Sequence, residues 1–283
     1  MDSLQHFDFE GVSIAFTRRG SGPPVVFLHN AGAAHGLWEA QLRALAPRYT
    51  VCAVDLTGYG ASEAPDDPGN YTLGRYTRMV RAFLRDQQLE GAALVGNCLG
   101  AAIALNLARQ VPGIGAVVAV NPLTQRTAFG GGIGPLARLA GILPAAVVNS
   151  VGRRHTPPWL VRAMVRTWFA DRAAYRACAP SDSVAAGFPL IALAAMGRDL
   201  PSFRIIEQWS SAPVRPPVCT VWGEANPILS AAEGERLDTL LRPQRRVRLP
   251  GCGHAPMLER PREVTAVIEE FLAAHMHSAS PRN

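Results

Sequence analysis

The sequence contains no lysine, so arginine supplies all 28 of its cationic residues other than histidine. Because a Schiff base requires a lysine amine, a lysine-bound pyridoxal cofactor is excluded. The cysteines number five, an odd count, and none of them has the C-x-x-C spacing of a zinc site. No apolar run approaches the roughly 18 residues of a membrane helix, and the N-terminal residues lack the pattern of a secretion signal. These absences predict a cytoplasmic protein without a metal site or a membrane contact.

Cofactor and nucleic-acid motifs are missing as well. The sequence has no G-x-x-x-x-G-K-[ST] phosphate loop and no interleaved basic and aromatic residues, so we expect no cofactor and no nucleic-acid partner. The net charge of +6 is compatible with recruitment of an acidic carrier protein or coenzyme A. With 283 residues, 48% of them hydrophobic, the chain is long enough for one large domain with an insertion. Its oligomeric state is left open.

Short apolar segments alternate with segments of helical periodicity, which predicts a mainly parallel sheet flanked by helices. The predicted strands are residues 12–16, 24–28, 49–55, 91–95, 115–121, 218–222 and 245–250. Between 122 and 216 the strand signals stop, and helical stretches with bulky aromatic residues take their place.

Residues 92–102, A-A-L-V-G-N-C-L-G-A-A, begin as an apolar strand, break at a glycine and restart as a helix of small residues. A residue between two glycines at such a turn is held in a strained conformation that points its side chain away from both elements. Here that residue is Cys98. The helix start offers N–H groups that favour a thiolate and a developing oxyanion. The alternative is a buried structural cysteine on a tight turn.

The pattern G-x-C-x-G resembles the nucleophile elbow of the α/β-hydrolase superfamily, with cysteine in place of serine. Further motifs follow in the family's order: L-H-N-A-G at 28–32, D-L-T-G-Y-G-A-S at 55–62, W-G-E-A-N-P at 222–227 and G-C-G-H-A-P at 251–256. The resemblance implies an α/β-hydrolase fold with a mainly parallel eight-stranded sheet. It also implies a core of residues 1–121 and 217–283, with a helical lid at 122–216.

The resemblance assigns the general base to His254 and the residue that orients it to Asn226, where the family has aspartate. Glu224 is an alternative source of the carboxylate. Asparagine suits a cysteine nucleophile, because the resting pair can be thiolate and imidazolium and an amide oxygen then suffices to hold the ring. Ser-His-Asn would be a poorer set, which argues against Cys98 being an engineered replacement of serine.

By position in the family, the N–H groups of Ala31 and Leu99 form the oxyanion hole. Asn30 replaces the family's glycine, and it and Asn97 are predicted to line the substrate pocket. His29 is interpreted as a residue that braces the loop. In the helical segment, Trp159 and Trp168 are candidates for an apolar roof over the substrate, although such aromatics also serve to hold lid helices to the core.

The leading hypothesis is acyl transfer through a thioester on Cys98, by a biosynthetic thioesterase, acyltransferase or cyclase. Its substrate would be a small acyl ester or thioester, presented on an acyl carrier protein or coenzyme A. Thioesters react readily with amines and slowly with water, which favours transfer. A simple cysteine-dependent ester or lactone hydrolase, a lyase or cyclase without a covalent intermediate, and a ligand-binding protein with a degenerate triad remain alternatives. Dehalogenases and epoxide hydrolases of this fold carry an aspartate at the elbow, so Cys98 disfavours both activities for this chain.

Overall fold

The structure, a computed structural model, describes residues 4–142, 144, 146–147, 156–178, 189–211 and 215–276. Within these ranges eight strands form one sheet, in the order β1-β2-β4-β3-β5-β6-β7-β8. The strands are β1 Gln5–Phe9, β2 Val12–Arg19, β3 Pro24–Leu28, β4 Thr50–Val54, β5 Ala93–Asn97, β6 Ala116–Val120, β7 Val218–Gly223 and β8 Arg245–Leu249. The predicted eight-stranded, mainly parallel sheet is confirmed, since β2 pairs antiparallel with β1 and β4 and the other five pairs of the described strands are parallel.

Sequence analysis missed β1, the edge strand. Its five residues, Q-H-F-D-F, alternate polar and apolar side chains over too short a stretch to predict a strand. It is held in place by antiparallel pairing with β2, in which Phe7 lies opposite Ile14. Tertiary pairing, rather than local sequence, therefore determines this strand.

The central strands are buried on both faces, because helices cover each side of the sheet. Every residue of β4, β5, β6 and β7 is buried, as expected for parallel strands between two helical layers. Helices α2 and α3 pack on one face, and α1 and α11 pack on the other. The helices are α1 Glu39–Leu45, α2 Leu73–Asp86, α3 Leu99–Ala108, α4 Gln125–Gly130, α5 Gly134–Ile142, α6 Pro158–Arg166, α7 Arg172–Cys178, α8 Leu190–Asp199, α9 Ala231–Leu241, α10 Pro256–Glu259 and α11 Pro261–His275.

A helical insertion, α4 to α8 followed by the 3-10 segment Leu200–Ser211, separates β6 from β7. It falls in the range predicted as a lid, of which residues 143, 145, 148–155, 179–188 and 212–214 lie outside the described residues. The parallel strands place their carboxyl ends at one edge of the sheet, where α/β proteins bind their ligands. The loops after β3, β5, β7 and β8, which carry the motifs identified in the sequence, therefore meet at this edge.

Candidate active site

The turn between β5 and α3 has the geometry of a nucleophile elbow. Cys98 caps α3 with φ 52° and ψ −107°, a conformation that is strained for a residue with a side chain. A Cβ atom at Gly96 would overlap the backbone of Gly100, and one at Gly100 would overlap the carbonyl of Leu28. Both positions therefore require glycine, and the strand, turn and helix predicted for this motif are present.

Burial sets the protonation state of the two central groups. It raises the pKa of the Cys98 thiol to about 12, an effect that the nearby N–H of Leu99 opposes only in part. Burial also lowers the pKa of His254 to about 3. Near neutral pH the resting pair is thus thiol and neutral imidazole, not the thiolate and imidazolium that the sequence suggested. Loss of solvation outweighs the stabilisation that a helix N-terminus gives to an anion.

Asn226 holds the ring of His254. The Nδ1–H of His254 donates to Asn226 Oδ1 at 3.2 Å. The same oxygen accepts from the backbone N–H groups of Ile228 at 2.9 Å and Leu229 at 3.1 Å, which fixes the orientation of the amide. With Nδ1 as the donor, Nε2 is the basic atom of the ring. Glu224, by contrast, has an exposed side chain.

The buried Nδ2 of Asn226 has no hydrogen-bond partner among the described residues. An amide at this position thus leaves one donor unsatisfied, whereas an aspartate would present only acceptors to the three N–H groups around it. The surroundings of Asn226 are those of a carboxylate site, although the residue carries no charge.

The elbow and the histidine loop are neighbours, because Asn97 Nδ2 donates to the carbonyl of His254 at 3.2 Å. No hydrogen bond joins the Cys98 thiol to the His254 ring in the part of the chain that the structure describes. Catalytic hydrogen bonds are often long without substrate and tighten in the complex. Direct proton transfer between the two groups therefore requires one of them to move toward the other.

His29 braces the loop after β3, which carries Asn30 and Ala31. Its Nδ1 donates to the carbonyl of Asn30 at 2.8 Å, and its Nε2 accepts the backbone N–H of Leu56 at 2.9 Å. Burial lowers the pKa of His29, which keeps the ring neutral and able to accept from Leu56. Leu99, the first residue of α3, has no intrahelical acceptor for its N–H.

The four residues predicted to bind substrate lie in different environments. Asn30 and Asn97 are buried, at 1% and 0% exposure, and bond to each other at 3.2 Å. Trp168 is buried, and its carbonyl accepts the backbone N–H of His254 at 2.6 Å. Trp159 on α6 is 69% exposed, so most of its surface contacts solvent rather than the core.

Two site residues had no role in the sequence analysis. Asn121, at the end of β6, has φ 42° and donates to the His254 carbonyl at 3.2 Å. Glu259 accepts the N–H of Gly253 at 2.8 Å and that of Ala170 at 3.2 Å, which joins the histidine loop to the insertion. A polar residue directly after a buried parallel strand was the available signal for Asn121. Sequence offers no such signal for Glu259, because its partners are backbone groups.

The family model described as the alpha/beta hydrolase family matches residues 25–267 of this sequence. The chain belongs to the α/β-hydrolase family. Its resemblance to that family, inferred from the motifs, is thereby confirmed.

Curated relatives of this α/β hydrolase include enzymes of several kinds. A pimeloyl-[acyl-carrier protein] methyl ester esterase of Aeromonas hydrophila is 27% identical over 275 residues, covering 92% of this chain and all of the relative. A haloalkane dehalogenase of Agrobacterium fabrum is 39% identical over 102 residues, covering 36% of this chain and 33% of its own. The relatives therefore support hydrolase chemistry in general rather than one substrate.

Solved structures share the fold. A hydrolase from Pseudomonas aeruginosa superposes with a TM-score of 0.77 at 23% identity, over 95% of this chain and 98% of the other. E-2-(acetamidomethylene)succinate hydrolase gives a TM-score of 0.72 at 22% identity, over 96% of this chain and all of the other. Within the described ranges, no helix is long and apolar enough to span a bilayer, and no cluster of three candidate ligands is arranged to hold a metal ion.

Proposed function

We propose that this α/β hydrolase transfers acyl groups through a thioester on Cys98, with His254 as the base and Asn226 as the residue that orients it. The observation that carries the proposal is the strained Cys98 at the start of α3, whose neighbour Asn97 bonds the carbonyl of His254, a histidine whose Nδ1 is held by an amide oxygen. The remainder of the site is consistent with acyl chemistry, since the Leu99 N–H lies close to the thiol and lowers its pKa.

The neutral resting pair determines the order of events. His254 Nε2 removes the thiol proton as Cys98 Sγ attacks the acyl carbon, and the N–H groups of Ala31 and Leu99 stabilise the resulting oxyanion. Collapse of the tetrahedral intermediate breaks the bond to the leaving group, which takes the proton from His254. An amine, alcohol or water then attacks the thioester and gives its proton to His254, which returns it to the Cys98 sulfur.

The substrate we propose is a small acyl ester or thioester, carried on an acyl carrier protein or coenzyme A. The relative from Aeromonas, a pimeloyl-[acyl-carrier protein] methyl ester esterase, supports this class. The basic balance of the chain, +6, favours an acidic carrier. The insertion between β6 and β7 would serve as the lid, with Trp159 and Trp168 as its candidate substrate contacts.

Intact-protein mass spectrometry tests the mechanism. The protein is incubated with acyl thioesters and activated esters of several chain lengths, beside a Cys98→Ala variant. A mass increase equal to the acyl group, absent from the variant and removed by an added amine or alcohol, is expected. Cys252→Ala is the matched control, because Cys252 is also a buried thiol but lies beyond β8. Full turnover by Cys98→Ala would overturn the mechanism.

A ligand-binding protein with a degenerate triad is the second candidate. The neutral state of His254, with its pKa lowered to about 3, favours it because a weak base slows acyl transfer. In that case no donor acylates Cys98, while small esters or acids still raise the melting temperature of the protein.

A further inference from the structure

Three asparagines converge at the carboxyl edge of the sheet, one after each of three neighbouring strands. Asn30 follows β3, Asn97 ends β5 and Asn121 follows β6, and all three side chains are buried. Asn97 and Asn121 both donate to the carbonyl of His254, each at 3.2 Å. Only Asn97 also reaches Asn30, whose Oδ1 accepts from it at 3.2 Å.

These contacts form a chain of hydrogen bonds from the histidine loop to the oxyanion loop. Asn30 Nδ2 continues it by donating to the carbonyl of Ala31 at 3.0 Å. The chain thus begins at one backbone carbonyl, that of His254, and ends at another, that of Ala31. Because both end groups only accept, the NH₂ group of Asn97 faces the His254 carbonyl and Asn30 Oδ1, and the NH₂ group of Asn30 faces the Ala31 carbonyl. The orientation of both amides follows from these partners.

The chain ends at the peptide units that surround the Ala31 N–H. The carbonyl of Asn30 accepts from His29 Nδ1 at 2.8 Å and from the N–H of Ala33 at 3.1 Å. In a trans peptide the Ala31 N–H points opposite to that carbonyl, so these bonds set its direction. The next carbonyl, that of Ala31, is held by the Asn30 side chain. Both peptide units that flank Ala31 are therefore fixed through their oxygens.

We infer that Asn97 is a positioning residue, which acts through Asn30 to hold the histidine loop and the oxyanion loop in one fixed relation. The role differs from substrate contact, because Asn97 is 0% exposed and its NH₂ group is used by His254 and Asn30. It also explains a departure from the family pattern: Asn30, which replaces the glycine, provides the acceptor that Asn97 needs. The inference rests on the proposed acyl chemistry for its catalytic consequence.

The test compares Asn97→Asp with Asn121→Asp. Both substitutions keep the size of the side chain, add the same charge and remove one N–H donor to His254. Asn97→Asp alone places a carboxylate against Asn30 Oδ1 and breaks the link to the oxyanion loop. We expect it to lower kcat for an acyl thioester by about 10- to 100-fold at nearly constant KM, with a smaller loss for Asn121→Asp.

Alkylation of Cys98 by iodoacetamide provides the second readout, because this reaction forms no oxyanion. Alkylation should slow by a similar factor for Asn97→Asp and Asn121→Asp, because each adds a carboxylate that disfavours the thiolate, whereas acyl transfer should fall further for Asn97→Asp alone. A rise in KM at constant kcat would instead make Asn97 a substrate contact and overturn the inference. An equal fall in alkylation and acyl transfer would overturn it too, because the elbow itself would then be disturbed.

A double-mutant cycle with Asn30→Ala and Asn97→Ala completes the experiment. The losses in melting temperature and in kcat should be non-additive, since either substitution breaks the same chain. Additive losses would refute the coupling. If no donor acylates the parent protein, the proposed function is refuted, but the melting temperatures still test the coupling between Asn30 and Asn97.

Discussion

The α/β core and the helical insertion differ in what their surfaces expose. The core buries every residue of its central strands, and it carries Cys98, Asn226 and His254 on loops at one edge of the sheet. Five of the seven large apolar side chains exposed among the described residues belong to the insertion instead: Leu136, Leu139, Ile142, Val147 and Trp159. The core therefore determines the fold and carries the candidate site, whereas these exposed apolar side chains of the insertion do not contribute to the core.

The two regions meet at the histidine loop. The backbone N–H of His254 donates to the carbonyl of Trp168 at 2.6 Å, and Glu259 bonds both Gly253 and Ala170. A Cβ atom at Gly253 would press against the backbone of Trp168 and Ala170, so the close approach depends on glycine. The position of His254, the proposed general base, is thus connected to the position of residues 168–170.

Replacement of Cys98, the proposed nucleophile, should give the largest change in kcat. Such a change would show that the reaction depends on a residue of the core. Cys98→Ser is expected to lower kcat by about 10²- to 10⁴-fold, because a serine hydroxyl needs a base whose charge is stabilised by a carboxylate. Adding Asn226→Asp to this variant should recover at least about 10-fold, since the carboxylate accepts the same three N–H groups and stabilises the imidazolium. The measurement is kcat for an activated ester.

A pH–rate profile of Asn226→Asp alone serves as the control for that prediction. In the parent the acid limb of kcat/KM should lie well below pH 6.5, because burial lowers the pKa of His254 to about 3. The new carboxylate should move this limb to higher pH. A Cys98→Ser variant as active as the parent would show that Asn226 is not matched to cysteine.

A pair of leucine truncations tests the difference in burial directly. Leu107 on α3 is 0% exposed, and Leu107→Ala should lower the free energy of unfolding by about 2–5 kcal/mol through the cavity that it leaves. Leu139 on α5 is 52% exposed, and Leu139→Ala should change it by less than about 0.5 kcal/mol. Urea titrations of both variants provide the measurement. An equal loss of unfolding free energy in the two variants would mean that Leu139 on α5 is buried in solution.

The same division explains how far sequence analysis reaches. The central strands were predictable because each is an apolar run, and the turn after β5 was predictable because its glycines, Gly96 and Gly100, are required by close backbone contacts. The protonation state of Cys98 and His254 was not predictable from the sequence, because it depends on burial by residues that are distant in the sequence. The link from Asn97 to Asn30 spans 67 positions, and nothing local indicates it.

The smallest effect we predict is a pH dependence of stability within the core. The hydrogen bond to buried Asp55, 3.0 Å away, raises the pKa of His35 above 6.5 although burial opposes it. Despite its burial, the pKa of Asp55 falls below 3.8, since His35 stabilises the carboxylate. Protonated His35 therefore stabilises the fold fully below pH 6.5, and this contribution is lost as the pH rises through its folded pKa. Asp55 contributes above pH 3.8 and loses that contribution in more acidic solution.

The difference in melting temperature between the parent and His35→Gln should consequently be largest between pH 3.8 and 6.5 and shrink at higher pH. Glutamine retains an uncharged donor, so the difference isolates the charge of His35. The buried His254, whose lowered pKa weakens the fold as the pH falls below 6.5, is present in both proteins and cancels. The pKa of His29 depends in part on the charges of His35 and Asp55, so part of the difference acts through His29. Asp55→Asn should show a loss over the same pH range, because it removes the partner charge, together with a loss from the hydrogen bonds that the carboxylate accepts from the N–H groups of His35 and Ala61. A difference that is equal at pH 5.5 and pH 9 would place the stabilisation in the neutral hydrogen bond rather than in the ion pair.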